Sequence, residues 1–213
     1  MNAIILAGGA GSRMEEDLPK ALVEVRGKPI LAYQLDYLKD KTDKIILAIG
    51  IKSDMIIDYV SKNYPDRNII FSVEGKKLGT GGAIKQAMGM ADSEKVLVLN
   101  CDDLTNIDIE KLKSQEENTV CVAHPQLPFG LVRESDEGYA VFVEKPTLPD
   151  WVSCGWYLFK KAEIYDLLPD EGNIEAETFP KIKLRLFKHE GIWQTFNTKK
   201  DIQEFESKGQ DIM

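Results

Sequence analysis

The sequence predicts an α/β fold with a mixed, mostly parallel sheet that carries helices on both of its faces. In the first half, short apolar runs alternate with helix-like segments at the spacing of strand–helix repeats. The second half is richer in strands and turns, which indicates an antiparallel extension of the sheet. The length of 213 residues suffices for a large core, and no repeat or linker divides the chain. We therefore expect residues 1–213 to form a single domain.

The individual elements follow from hydrophobic periodicity and from turn residues. Ser53 or Asp54 is expected to cap the second helix, and Thr198 the last one. The predicted helices span residues 30–40, 53–63, 80–90, 108–115, 161–167 and 198–207. The predicted strands span residues 2–7, 44–49, 68–73, 95–100, 119–123, 139–143, 152–159, 183–188 and 192–197.

Composition excludes several classes of partner. The formal net charge is −8 without a basic stripe, which argues against nucleic acid. No apolar run is long enough to span a membrane, and the first strand lacks the flanks of a signal peptide, so we expect a soluble, cytoplasmic protein with no membrane partner. The cysteines (Cys101, Cys121 and Cys154) are odd in number and lack metal-like spacing. They suit a reducing compartment and a packing role.

A glycine-rich turn at residues 8–13 directly follows the first apolar run. Such a turn exposes backbone N–H groups to an anion, and Arg13 and Lys20 add two cations to the same region. A dinucleotide-binding loop needs a small residue where Met14 stands, and the ATPase phosphate loop needs a Gly-Lys-Ser/Thr ending that this chain lacks. Because the protein is acidic, binding a polyphosphate here requires a few local cations and a divalent metal.

The residues around this turn closely resemble the signature of sugar-1-phosphate nucleotidyltransferases. The signature comprises Leu-Ala-Gly-Gly-Ala-Gly-Ser-Arg-Met at 6–14, Pro19-Lys20, and Gly-Lys-Pro-Ile-Leu at 27–31. The resemblance implies a Rossmann-like fold of the nucleotide-diphospho-sugar transferase type. It also implies that a sugar 1-phosphate attacks the α-phosphate of a nucleoside triphosphate and expels pyrophosphate. Further family motifs follow in order at 78–83, 99–102, 129–130, 143–146, 153–157 and 175–180.

On this resemblance, Arg13, Lys20 and Asp102 are the catalytic residues. Arg13 suits the charge of the triphosphate, and Lys20 the α-phosphate or the incoming phosphate. Asp102 follows an apolar strand, where a hard oxygen ligand suits Mg²⁺. Its neighbour Asp103 is expected to point elsewhere, so we assign the metal to Asp102.

The remaining site residues are assigned by the same resemblance. Lys145 would hold the sugar phosphate, Glu144 and Glu177 would accept hydrogen bonds from sugar hydroxyls, and Gly130 and Gly155 would let the backbone approach the sugar. Both histidines, His124 and His189, are expected at packing or surface positions. Contacts to the nucleotide are expected from Leu6, Ala7, Gly8, Gly9, Gly11, Ser12, Gly79 and Thr80.

The base preference depends on Glu74, which precedes the second glycine loop. Thymidylyl- and uridylyltransferases typically carry glutamine there, which can both donate and accept. A carboxylate only accepts, and guanine offers two adjacent donors, so Glu74 favours guanine. The sequence of residues 78–83 also resembles that of mannose- or heptose-1-phosphate guanylyltransferases. The sequence does not identify the sugar.

The pattern departs from the family at Asn197, where an aspartate ordinarily supplies a second metal ligand. An amide oxygen carries no charge, which should weaken Mg²⁺ binding. Trp193, Gln194 and Thr198 match the Trp-Gln-x-x-x-Thr pattern of cytidylyltransferases, which keeps that branch open beside a uridylyl- or thymidylyltransferase of the same family. Asn197 and Cys101 leave a non-catalytic sugar-nucleotide-binding protein as the other alternative. The sequence ends shortly after its last helix, so we expect no second enzymatic activity. It leaves open whether the chain forms a homo-oligomer.

Overall fold

The structure is a computed structural model that describes residues 1–9 and 17–208. Its strands, in chain order, are β1 (Asn2–Leu6), β2 (Glu24–Val25), β3 (Lys28–Pro29), β4 (Lys44–Ile49), β5 (Ile69–Val73), β6 (Lys95–Asn100), β7 (Asp103–Thr105), β8 (Thr119–Ala123), β9 (Leu131–Glu134), β10 (Ala140–Val143), β11 (Val152–Lys160), β12 (Arg185–Lys188) and β13 (Trp193–Thr195).

The helices alternate with the strands of the first half, as predicted. They are α1 (Ile30–Tyr37), α2 (Ser53–Asn63), α3 (Gly79–Gly89), α4 (Ile109–Lys113), α5 (Lys161–Ile164), α6 (Ile174–Glu177) and α7 (Lys199–Lys208). Short 3₁₀ turns lie at Lys20–Leu22, Tyr165–Leu167 and Phe179–Lys181. Among the described residues, no helix is long and apolar enough to cross a membrane.

Seven strands form the central sheet, in the order β12-β8-β11-β6-β1-β4-β5. Only β11 runs against the others, since it pairs antiparallel with both β6 and β8. The predicted mixed, mostly parallel sheet is therefore confirmed. The antiparallel extension is narrower than expected, because the edge strand β12 is parallel to β8.

Helices cover both faces of this sheet, again as predicted. Alternate residues of β1 point to opposite faces, with Ile5 in one apolar cluster and Ile4 in the other. The Ile5 side packs against α1, α2 and α4, and the Ile4 side against α3, α5 and α6. A third cluster, around Phe196 and Phe205, holds α7 against the hairpin of β2 and β3.

The differences from the predicted elements concern short segments. The pairs β2–β3 and β13–β7, the strand β9 and the helix α6 were not expected from periodicity. The predicted cap of α2 is wrong: Lys52, at φ 58°, precedes the helix and makes no side-chain capping bond. Thr198 does cap α7, since its Oγ1 accepts from the backbone N–H of Asp201 at 3.3 Å.

The three cysteines have the predicted packing role. All are buried, free thiols in the apolar cluster on the Ile5 side of the sheet. Burial raises the pKa of each thiol, that of Cys154 to about 12. They are accordingly protonated and inert at neutral pH.

Candidate active site

The candidate site lies at the carboxyl ends of the parallel strands. Leu6, the last residue of β1, pairs with Asn100, the last residue of β6. Gly8 and Gly9, which follow β1, and the acidic turn after β6 therefore leave the sheet at the same end. This edge of an open α/β sheet is the usual location of a ligand crevice.

Lys20 brings the catalytic candidates together. Its ammonium group forms an ion pair with the Asp102 carboxylate and also donates to Asn197 Oδ1 at 3.0 Å. The Lys20 side chain is only 14% exposed, and Asp102 is 23% exposed. Ala21 and Leu22, buried in the core, fix the 3₁₀ turn that carries Lys20. Residues from three distant parts of the chain thus converge on one half-buried cation.

Asn197 is held in place by the first turn of α7. The Asp201 carboxylate accepts from the backbone N–H groups of Asn197 at 2.8 Å and Thr198 at 2.7 Å. The Asn197 side-chain amide donates to Thr195 Oγ1 at 3.0 Å, which turns its carbonyl oxygen toward Lys20. Asp201 is therefore a positioning residue that the sequence reasoning missed.

Asp103 points away from Asp102, as predicted, and is buried. Its carboxylate accepts from Asn100 Nδ2 at 3.0 Å and from Trp193 Nε1 at 3.1 Å. Burial, reinforced by the charge of Asp102, raises the pKa of Asp103 to about 6. Asp103 therefore ties β6 to β13, which leads into Asn197.

Gly155 is a glycine because of Asp103. Its φ is +74°, and a Cβ there would collide with the Asp103 carboxylate and lie 2.6 Å from Asn100 Nδ2. The requirement for glycine thus arises from packing inside the protein. Its contact with a sugar stays a prediction.

Glu74 lies over the first glycine turn. One of its carboxylate oxygens would be 2.8 Å from a Cβ added at Gly8, and the other accepts from the Leu78 backbone N–H at 2.9 Å. This hydrogen bond fixes the carboxylate and leaves its other oxygen above Gly8. Among the described residues, nothing lies within 4 Å of a Cβ added at Gly9.

Two backbone groups predicted to contact the nucleotide are already bonded inside the sheet. The Leu6 carbonyl accepts from Cys101 N–H at 3.2 Å, and the Ala7 N–H donates to the Ala48 carbonyl at 2.8 Å. These two groups are therefore used within the sheet, and their contacts with the nucleotide stay predictions. Arg13, Gly11 and Ser12 lie outside the described residues, so their assignments stay predictions.

The second glycine loop packs against the segment that carries Glu177. A Cβ at Gly79, whose φ is +76°, would collide with the Gly172 carbonyl. Thr80 Oγ1 accepts from the Ile174 backbone N–H at 3.1 Å, and Glu177 accepts from Asn173 N–H at 3.2 Å. Gly79, Thr80 and Glu177, which are predicted to contact ligands, therefore each contact other residues of the protein. Leu78, whose N–H donates to Glu74, places this group of residues beside Glu74.

Lys145 and its neighbours lie at the base of the β9–β10 ribbon. Gly130 faces Glu144, whose carboxylate would be 3.4 Å from a Cβ at Gly130. The Lys145 backbone has the left-handed φ of 42°, and its carbonyl accepts from Gln126 Nε2 at 3.1 Å. Its ammonium group pairs with Glu204 of α7 at 2.9 Å.

A cavity of about 1100 Å³ connects Lys145 with Asn197. His124 and His189, which are expected at packing or surface positions, both line this cavity. His124 stacks on Trp151 with ring centroids 3.8 Å apart, and His189 bonds to the Ile192 carbonyl at 3.0 Å. No sequence motif identifies these residues of the cavity wall, because they come together only when folding places the ends of β8 and β12 side by side. Other polar wall residues are Gln126, Thr147, Glu190 and Gln194.

The donor set fits a magnesium ion that also binds phosphates. Within the described ranges no cluster of three or more Asp, Glu, His or Cys residues is arranged to hold a metal. Asp102 and Asn197 nevertheless present two hard oxygen atoms to one point, now contacted by Lys20. Mg²⁺ prefers one or two protein oxygens supplemented by substrate phosphates and water. Asp102 and Asn197 are the residues that would hold it.

Comparisons with known proteins show the family to which the chain belongs. The nucleotidyl transferase family model matches residues 2–189. D-glycero-alpha-D-manno-heptose 1-phosphate guanylyltransferase of Campylobacter jejuni is 32% identical over 199 residues, covering 87% of this chain and 89% of the relative. Mannose-1-phosphate guanyltransferase of Yarrowia lipolytica is 31% identical over 227 residues, covering 94% of this chain but 62% of the longer relative. The crystal structure of HddC from Yersinia pseudotuberculosis complexed with GMP-PN superposes with a TM-score of 0.79 at 27% identity, covering 98% of this chain and 99% of that one.

Proposed function

Because this chain belongs to the nucleotidyl transferase family and is a sugar-1-phosphate nucleotidyltransferase, we propose that it transfers GMP from GTP to a mannose- or heptose-type sugar 1-phosphate. An oxygen of the sugar phosphate forms a bond to the α-phosphorus of GTP. The bond between the α-phosphorus and the bridging oxygen breaks, and pyrophosphate leaves with that electron pair. The products are a GDP-sugar and pyrophosphate.

The convergence of Lys20, Asp102 and Asn197 is the observation that carries this proposal. The attacking phosphate oxygen is already anionic, so the reaction needs no general base. It needs the two reactants held in line and their negative charge neutralised. A half-buried lysine beside an acidic turn supplies a fixed positive charge where the two phosphates must meet. Bound Mg²⁺ would neutralise further charge on the triphosphate.

Guanine specificity is proposed on the position of Glu74. The carboxylate above Gly8 can accept from both the ring N–H and the exocyclic amine of guanine. The names of the relatives and the GMP-PN in the HddC structure support the same base. Lys145 would bind the sugar phosphate at the other end of the site.

We also propose a cytoplasmic location. The three thiols are free in the structure, which suits a reducing compartment.

The test is a matrix of GTP, ATP, CTP and UTP against several sugar 1-phosphates with Mg²⁺, read by pyrophosphate release. GTP with mannose or heptose 1-phosphate should give the highest kcat/KM. Lys20→Met and Asp102→Asn should each lower it at least 100-fold. The first removes a positive charge beside the phosphates, and the second removes the charged ligand of the proposed Mg²⁺. Lys160→Met is the matched control, because Lys160 pairs with Lys95, the first residue of β6. It therefore lies at the opposite end of the strands from the candidate site.

Pyrophosphate release that prefers UTP or CTP would overturn the assignment of the base. Binding of nucleotide and sugar phosphate without turnover in any combination would favour a non-catalytic binding protein. Equal loss of activity in Lys160→Met would show that the Lys20 effect is not specific to the site.

A further inference from the structure

The sugar-phosphate lysine is already paired with a carboxylate of its own chain. Lys145 Nζ lies 2.9 Å from Glu204 Oε1, and the two side chains are 34% and 40% exposed. Both residues line the cavity that leads to Asn197. The Glu204 carboxylate therefore already neutralises the ammonium group that a bound phosphate would need.

Glu204 is held in that position by the packing of α7. Ile202 and Phe205, on either side of it in the sequence, are buried in the cluster around Phe196. The Phe205 and Phe196 rings meet edge to face, with centroids 5.4 Å apart. At the start of the same helix, Asp201 accepts from Asn197 N–H at 2.8 Å. One helix thus fixes both Glu204 and the backbone of the proposed metal ligand.

The Lys145 side also has a defined position. Its backbone is in the left-handed region, and its carbonyl is bonded to Gln126. The hydrogen bond and the charge of Glu204 raise the pKa of Lys145, so the ammonium group stays charged at neutral pH. A phosphate that enters the cavity meets a charged lysine whose nearest anion must be exchanged.

We propose that Glu204 sets the affinity for the sugar 1-phosphate by competing with its phosphate group for Lys145. The inference rests on the proposed function, in which Lys145 binds that phosphate. A sugar phosphate carries two negative charges and three acceptor oxygens, so it displaces the carboxylate when bound. A neutral sugar lacks the charge to do so.

The competition acts on binding of the sugar phosphate and leaves the chemical step alone. In Glu204→Gln the lysine is no longer neutralised, so KM for the sugar 1-phosphate should fall about two- to fivefold, the range measured for partly exposed ion pairs. The values of kcat and of KM for GTP should change less than twofold. The gain should shrink as salt is raised.

The experiment compares four variants by steady-state kinetics with GTP and mannose 1-phosphate. Glu206→Gln is the matched control, because it removes the same charge from the same helix, at a carboxylate that accepts from the Arg26 backbone N–H. Lys145→Met should raise KM for the sugar phosphate. Adding Glu204→Gln to Lys145→Met should then give no further change, since the contested cation is gone.

The possible results for KM of the sugar phosphate test different parts of the proposal. A higher KM in Glu204→Gln, with kcat unchanged, would show that Glu204 orients Lys145 for binding and would overturn the competition. An equal fall of KM in Glu206→Gln would show that any negative charge on α7 weakens binding of the sugar phosphate. That result would also overturn the proposed competition for Lys145. If Lys145→Met leaves KM unchanged, the assignment of Lys145 in the proposed function fails instead.

Discussion

Replacing Gly155 by alanine tests whether this glycine exists to make room for Asp103. The backbone at Gly155 has a φ of +74°, which costs an alanine about 1 kcal/mol. The added Cβ would also lie 2.6 Å from Asn100 Nδ2 and 2.9 Å from Asp103 Cγ. Overpacking of this kind costs roughly 1–3 kcal/mol. The two contributions together give a loss of about 2–4 kcal/mol.

Thermal unfolding measures this loss directly. For a chain of this length each kcal/mol corresponds to about 2–4 °C, so Tm should fall by roughly 4–16 °C. Gly27→Ala is the matched control: its φ is +73°, but none of the described residues has an atom within 4 Å of the added Cβ. The control should lose only the backbone contribution of about 1 kcal/mol. A Gly155→Ala loss no larger than that of Gly27→Ala would refute the steric explanation.

Three further predictions concern the polar residues of the site. Asn197→Asp adds a carboxylate beside Asp102, so the Mg²⁺ concentration for half-maximal activity should fall severalfold; an unchanged or higher value in a metal titration would contradict this. Glu74→Gln should lower kcat/KM for GTP about tenfold or more, through loss of charged hydrogen bonds to guanine, and should raise the rate with UTP; an unchanged GTP preference would remove Glu74 from base recognition. Because burial and then Asp102 raise the pKa of Asp103 to about 6, the native state keeps a proton that the unfolded chain has lost between about pH 4 and 6. The free energy of unfolding should therefore fall with rising pH in that window, relative to Asp103→Asn, by at most about 3 kcal/mol in urea titrations without divalent metal.

Periodicity and local motifs were sufficient for the long elements. The strands β4, β6 and β8 and the helix α2 have the predicted bounds, because each is a continuous apolar run or an amphipathic repeat. The short elements carry too few residues for a period to show. β7, for example, is three residues long and is stabilised by pairing with β13, ninety residues further along the chain. Such pairing depends on the tertiary fold.

In the candidate site, too, residues within local motifs were identified from the sequence, whereas residues brought together by tertiary packing were not. Lys20, Asp102 and Asn197 were identified from motifs, and the structure brings them together. The roles of Glu204 and Asp201 were not identified, because α7 reaches Lys145 and Asn197 only once its apolar face is packed against Phe196. Sequence also suggested ligand contacts for Thr80 and Gly155, whose environments in the structure show internal partners as well.

A competition experiment tests guanylyl transfer most directly. Equal concentrations of GTP, ATP, CTP and UTP are mixed with mannose 1-phosphate, Mg²⁺ and the protein, and the nucleotide sugars are quantified by mass spectrometry at low conversion. The ratios of the products equal the ratios of kcat/KM, and the proposed function predicts that GDP-mannose predominates. A predominance of UDP- or CDP-mannose would contradict it, as would the absence of every nucleotide sugar both in this mixture and in a parallel one that contains heptose 1-phosphate.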